Sequence, residues 1–162
     1  MPKFKIHLNP KDIGRVIKDI KKYKRELKAK IELLIKELTK YGVEIAKAQV
    51  RELGAKYTGE LEESIEGYFD PVSGVGIIKA GAPYAVYVEF GTGIVGKHQP
   101  HPSPDGWRYD INSHGDEGWW YFNDNTGRMQ WTKGMPSRPF MYNTARKLEN
   151  DCRIIAREVF NR

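Results

Sequence analysis

An α+β domain is what this sequence predicts, on three observations: a long amphipathic run at each end, two pairs of short β-favouring segments between them, and turn residues where each pair must reverse. With 162 residues the chain fits one domain, 1–162, of a size that supports a real core. The expected arrangement is a long N-terminal helix and a C-terminal helix packed on a small antiparallel β-sheet. An aromatic loop and hairpin are inserted at about 94–134.

The N-terminal run carries the strongest signal. Asn9 and Pro10 read as a cap and first helical position. Ile13, Ile17, Ile20, Leu27, Ile31, Leu34, Leu38, Tyr41, Ile45 and Ala48 then recur at spacings of three and four, a series interrupted only at Lys24. That pattern gives one or two long helices between about Pro10 and Leu53, with a break expected near Lys22–Arg25. The stripe is longer than so small a domain can cover, so part of it is expected to meet another copy or another protein. A free-standing coiled coil is the competing account, and the widening of the stripe at Ile35 favours packing on a sheet instead.

In GAKYTGELEESI, Thr58 is placed to cap a short helix whose first turn holds Glu60 and Glu62. Ile65–Phe69 and Val75–Ala80 read as strands joined by the turn Asp70-Pro71-Val72-Ser73-Gly74. Ala82–Gly93, APYAVYVEFGTG, follows. Its Pro, three aromatic rings, lone carboxylate and glycines suggest a docking segment. Pro83 suits a helix start and Gly91 a left-handed helix end, which predicts one short helix over Pro83–Phe90; the β-favouring Val86, Tyr87, Val88 and Phe90 make a strand the rival. Glu89 is expected to make an ion pair or a cap hydrogen bond, because no neighbouring residue supplies the partner that acid catalysis needs.

Gly93–Gly134 holds all four tryptophans and three of the four histidines but shows little helical periodicity. Trp119–Phe122 and Arg128–Trp131 around Asn-Asp-Asn-Thr-Gly read as a second hairpin. His98, His101 and His114 offer imidazoles, but no carboxylate stands at a ligand spacing, so no metal and no cofactor are expected. A loop ordered by stacked rings, or an interface, accounts for the same residues. Met141, Ala145, Leu148, Cys152, Ile155 and Val159 predict a helix over about Phe140–Phe160, with Cys152 on its buried stripe as a small core residue. Arg138, between two prolines, is expected to aim its guanidinium at a carboxylate in the fold or across an interface.

Composition bounds the function classes. No run reaches the ~20 apolar residues of a membrane span, and the first residues lack a signal-peptide core, so a cytoplasmic product with no membrane partner is expected. The single Cys152 excludes an internal disulfide framework and a multi-cysteine zinc site. Of the net charge of +6, residues 1–56 carry 16 basic against 7 acidic side chains, and the remainder 11 against 14. A basic N-terminal element of this kind is either a solvated helix face or a surface toward nucleic acid or an acidic neighbour.

Three segments in order, Thr58–Ile65 (TG-x-L-x-x-SI), Pro83–Thr92 (PYA-x-YVEFGT) and Pro136–Phe140 (P-[AS]-RPF) ahead of a helix, together resemble the small neck proteins of long-tailed bacteriophages, the head-tail joining or tail-completion family. The insertion is longer than that pattern requires. The resemblance implies a non-enzymatic structural protein of the virion neck, made in the host cytoplasm. It implies a homo-oligomeric ring, six-fold, that completes the tail and joins it to the head, with head-completion and tail-tube or tail-terminator proteins as neighbours and phage DNA close by. Tyr84, Tyr87, Glu89, Phe90, Gly91, Arg138, Pro139 and Phe140 are the assembly residues it suggests. Two readings from other classes stand beside it: a nucleic-acid-binding module using the basic helix and tryptophans, and a metal-dependent hydrolase built on the histidines with Asp105, Asp110 or Asp116.

Overall fold

The computed structural model describes residues 10–55, 59–109, 117–124 and 126–161. Ten elements follow in order: α1 (Pro10–Glu52), α2 (Glu60–Glu63), β1 (Ile65–Asp70), β2 (Val75–Ala80), α3 (Ala85–Phe90), α4 (Gly93–His98), β3 (Trp119–Asn123), β4 (Arg128–Thr132), β5 (Gly134–Met135) and α5 (Phe140–Asn161). The fold is α+β.

The helix α1 runs through Lys22–Arg25 without the expected break. That stretch contains no helix breaker, its Lys and Arg residues are good helix formers, and Lys22 lies 3.8 Å from Glu26 one turn on. The expected caps Asn9 and Thr58 lie outside the described residues; the residue before α2 is Gly59.

Helix α5 lies antiparallel along α1. Asn143 donates to Gln49 Oε1 at 2.8 Å near one end, Tyr41 to Asp151 Oδ2 at 2.7 Å in the middle, and Lys30 to the Phe160 carbonyl at 2.9 Å near the other. The β1–β2 ribbon rests on α1 as well, in the register Ile65↔Ala80 to Asp70↔Val75. Gly76 makes that contact close: a Cβ there would stand 2.1 Å from Thr39 Oγ1. The turn forms as expected, with Asp70 accepting from Val72 N at 2.9 Å and from Ser73 Oγ at 2.6 Å.

Among the described residues the small antiparallel sheet is β1–β2 and the inserted hairpin is β3–β4, as expected. One detail of the packing differs. Helix α5 takes α1 as its main support, because the glycine-bearing ribbon is thin enough to occupy only part of the α1 surface.

The core sits where α1 ends. Ala46, Val50, Ala55, Leu61, Ile65, Ala82, Ala85, Val88 and Phe140 form one buried cluster. Every buried residue of α1 falls between Thr39 and Val50. Toward its start the same stripe stands in the open, with Ile13, Ile17 and Ile20 between 44% and 49% exposed. On α5 the expected stripe holds at Val159, while Ala145 is exposed and Cys152 only half-buried; the buried residues are Phe140, Thr144 and Val159.

The second hairpin has the register Trp119↔Thr132 to Asn123↔Arg128. The insertion is closed at its base by the bridges Thr92↔Met135 and Gly93↔Gly134. Helix α4 was not legible in the sequence: two glycines in six residues are poor helix formers. Contacts from elsewhere hold it, with Val95 N donating to the Lys133 carbonyl at 3.2 Å.

Candidate functional site

The segment Pro83–Phe90 does form a helix, α3, over its last six residues. It ends at Gly91, whose φ of +79° is the positive value expected but whose ψ of 169° is extended rather than left-handed helical. The chain therefore leaves α3 stretched out. That direction lets Thr92 pair with Met135 and lets Thr92 Oγ1 accept from Met135 N at 3.2 Å. A Cβ on Gly91 would lie 2.6 Å from Ser137 N.

The Pro136–Phe140 motif is locked against α3 from the other side. Arg138 N donates to the Val88 carbonyl at 2.8 Å, and Ser137 Oγ donates to the Glu89 carbonyl at 2.6 Å. Ser137 N donates to the Gln99 carbonyl at 3.1 Å, so two separate stretches, α3 and the chain after α4, converge on this one short strap.

Glu89 is the centre of the arrangement. It is buried, and its carboxylate caps α5 from a different element: Oε2 accepts from Met141 N and Oε1 from Tyr142 N, both at 2.9 Å. Helix N-termini carry unsatisfied N–H groups and a partial positive charge, so a carboxylate there is stabilising. A third donor is the ring of His101, whose Nε2 lies 3.1 Å from Glu89 Oε1. Ser103 brings its N–H to His101 Nδ1 at 3.0 Å and its carbonyl to the same atom at 2.8 Å. The Glu89 carboxylate only accepts, so it favours a proton on Nε2, and Nδ1 of the neutral ring then accepts from the Ser103 N–H.

Rings close the site. Phe90 stacks on Trp107 with centroids 4.9 Å apart and lies 4.4 Å from His101; Tyr87 meets Trp107 edge-on at 5.9 Å. Trp107 Nε1 donates to the Gly91 carbonyl at 3.0 Å. The insertion is thus anchored back onto α3 by His101 and Trp107.

Of the two contacts expected of Glu89, an ion pair or a cap hydrogen bond, the cap is made; its contact with His101 is a hydrogen bond, and an ion pair only when the ring is protonated. The docking expected of the segment takes place inside the chain, between α3, the insertion and the start of α5. Phe140 is 1% exposed and belongs to the core, while Glu89 and Gly91 are buried. These three present no surface to a neighbour, because the helix start and the strap cover them. Tyr84, Tyr87, Phe90, Arg138 and Pro139 are half-buried. Arg138 meets the Met135 sulfur at 3.9 Å, and no carboxylate among the described residues pairs with it.

His98 is exposed at the end of α4, apart from the His101 site, and His114, Asp110 and Asp116 lie outside the described residues. Among the described residues no group of three or more His, Cys, Asp or Glu is placed to hold a metal ion, and no helix is long and apolar enough to cross a membrane. His101 and Trp107 escaped the sequence reading as partners of Glu89 and Phe90. The one available signal was a lone carboxylate among rings, which demands donors without saying where they come from. Comparison with protein-family models, with curated proteins and with solved structures gave no match.

Proposed function

We propose that this protein is a structural subunit of the neck of a long-tailed bacteriophage or related tail-like particle, acting as a ring that completes the tail and joins it to the head. The observation that carries the reading is the convergence of its three family-like motifs. Leu61 and Ile65 of the first, Ala85 and Val88 of the second and Phe140 of the third belong to one buried cluster, and Glu89 of the second caps the helix that follows the third. Residues far apart in sequence that interlock in this way behave as the signature of one fold, which supports the resemblance.

Its mechanism is geometric. The locked core fixes the direction of α1 and the base of the insertion, so surfaces carried on them are presented at a set angle to neighbours, and a repeated contact at a set angle closes into a ring. Non-covalent contacts of this type need no catalytic group and no cofactor. The basic start of α1 faces the DNA passage or an acidic neighbour in this reading, and the protein resides in the virion.

The test is complementation of a particle producer lacking this gene, with electron microscopy of the product. Unjoined heads and tails, or tails of irregular length, are expected in its absence and joined particles on its return. Salt-sensitive DNA binding by the isolated subunit with normal particles in its absence favours the nucleic-acid-binding module instead.

A further inference from the structure

Two apolar surfaces stand open among the described residues. One is the start of α1, where Ile13, Ile17 and Ile20 form a stripe between 44% and 49% exposed. The other is one face of the β3–β4 hairpin. Trp120 pairs with Trp131 across the strands, Phe122 pairs with Met129, and the strand alternation puts all four side chains on the same side. They are 60%, 48%, 56% and 54% exposed respectively, and the two indoles meet edge-on at 5.5 Å. The opposite face carries Trp119, which is half-buried, and a hydrogen-bonded polar group in which Tyr121 Oη and Asn123 Nδ2 both donate to Gln130 Oε1 at 2.9 Å.

We infer that these two surfaces are partners: the α1 stripe of one copy seats on the aromatic hairpin face of the next, an inference that rests on the ring reading for the closure of the chain of contacts. Charge selects this pairing over the alternatives. Residues 10–29 carry eight Lys and Arg against three Asp and Glu. An α1–α1 contact between copies sets two such basic surfaces side by side, and like charges repel. Residues 117–133 carry two acidic and two basic side chains, so the hairpin brings no repulsion. Its indole and phenyl faces also present the negative side of the ring quadrupole to the Lys and Arg that flank the stripe.

Size agrees. Twenty helical residues span about 30 Å, and a five-residue strand about 17 Å, so the hairpin covers two to three turns of the helix. The exposed parts of the four hairpin side chains amount to roughly 500 Å². An equal area on the helix brings the contact to roughly 1,000 Å², the lower limit for a specific interface, and each copy takes part in two. The surfaces differ, so on the ring reading the contact joins copies head to tail and leaves neither surface bare; a reciprocal two-fold dimer also covers both surfaces and is distinguished by its failure to grow beyond two copies.

The test separates heterologous from two-fold association. Full-length protein is compared with a helix variant, Ile17→Gln with Ile20→Gln, and a hairpin variant, Trp120→Ser with Trp131→Ser, by sedimentation over a wide concentration range. All four positions are exposed, so circular dichroism and melting should match the unsubstituted protein. The inference predicts association beyond a dimer for the unsubstituted protein and monomers for each variant, weakened at least tenfold. Mixing the two variants restores one intact contact per pair and gives a 1:1 dimer that grows no further.

A hairpin variant that associates like the unsubstituted protein, a helix variant that does so, or an unsubstituted protein that stays monomeric throughout overturns it. Should a variant misfold, a photo-crosslinker at position 20 of the otherwise native chain serves: crosslinks to 119–132 of an isotope-labelled copy support the contact, and their absence contradicts it. The ring reading fails separately. If the mixed dimer forms yet particles lacking the gene are normal, the contact stands and the neck function falls; if the variants associate normally yet particles need the gene, the ring uses another contact.

Discussion

Glu89 illustrates how one side chain can set the geometry of a site. Its carboxylate holds two N–H groups of α5 and the His101 ring, so truncating it strands three donors in a buried place. Leaving buried donors unpaired is costly, and Glu89→Ala should destabilise the fold by about 3 kcal/mol. In a chain of this length that is a fall in melting temperature of roughly 6–12 °C. Glu89→Gln keeps acceptor oxygen for one helix N–H and should fall between. His101→Ala should cost less than Glu89→Ala, because the helix cap survives. Equal losses for the two alanine variants in thermal denaturation would place the stabilisation in the histidine pair rather than the cap. At Gly91, a side chain meets both a positive φ and the Ser137 backbone, and Gly91→Val should lose more than roughly 2 kcal/mol in chemical denaturation. A near-neutral result would mean that the strap can shift away.

Among the elements, α1 divides into two parts with different support. Its Thr39–Val50 stretch is buried, whereas its start is exposed. In the monomer, hydrogen exchange should be fast for amides 14–26 and slow for 42–50; uniform protection would contradict the division. The α1–α5 contact also predicts a pH dependence. Hydrogen bonds from Tyr41 and from Lys147 hold the Asp151 carboxyl below its ordinary 3.8. The stability from that group is therefore present above 3.8 and lost as the pH falls through the lowered value. The Asp151 hydrogen bonds raise Tyr41 from 10.0 and Lys147 from 10.5, so their contributions are present below those values and lost as the pH rises through the raised ones. The melting difference between the native chain and Asp151→Asn should be greatest at intermediate pH and shrink at both extremes; a difference independent of pH would contradict this. The elements themselves were largely legible. Both long helices and both hairpins announce themselves by local period and turn chemistry, which depend on neighbours in sequence. Helix α4, the single unbroken α1, and the seating of α5 on α1 depend on contacts with distant residues, and local pattern carries no record of those. The same limit hid His101 and Trp107, while Glu89 betrayed itself by its need for donors.

At the scale of the whole molecule, the motifs expected to do the assembling also hold the chain together, through buried Glu89, Gly91 and Phe140, and among the described residues apolar surface stands open at the start of α1 and on the inserted hairpin. A locked centre carrying two outlying apolar surfaces is a suitable design for a subunit whose task is to hold position in a ring. The central claim, that this ring completes and joins the tail, is tested most directly by electron microscopy of particles from a producer lacking the gene. Unjoined heads and tails, or tails of irregular length, restored by the native chain, are what the account predicts; normal particles made in the protein's complete absence would contradict it.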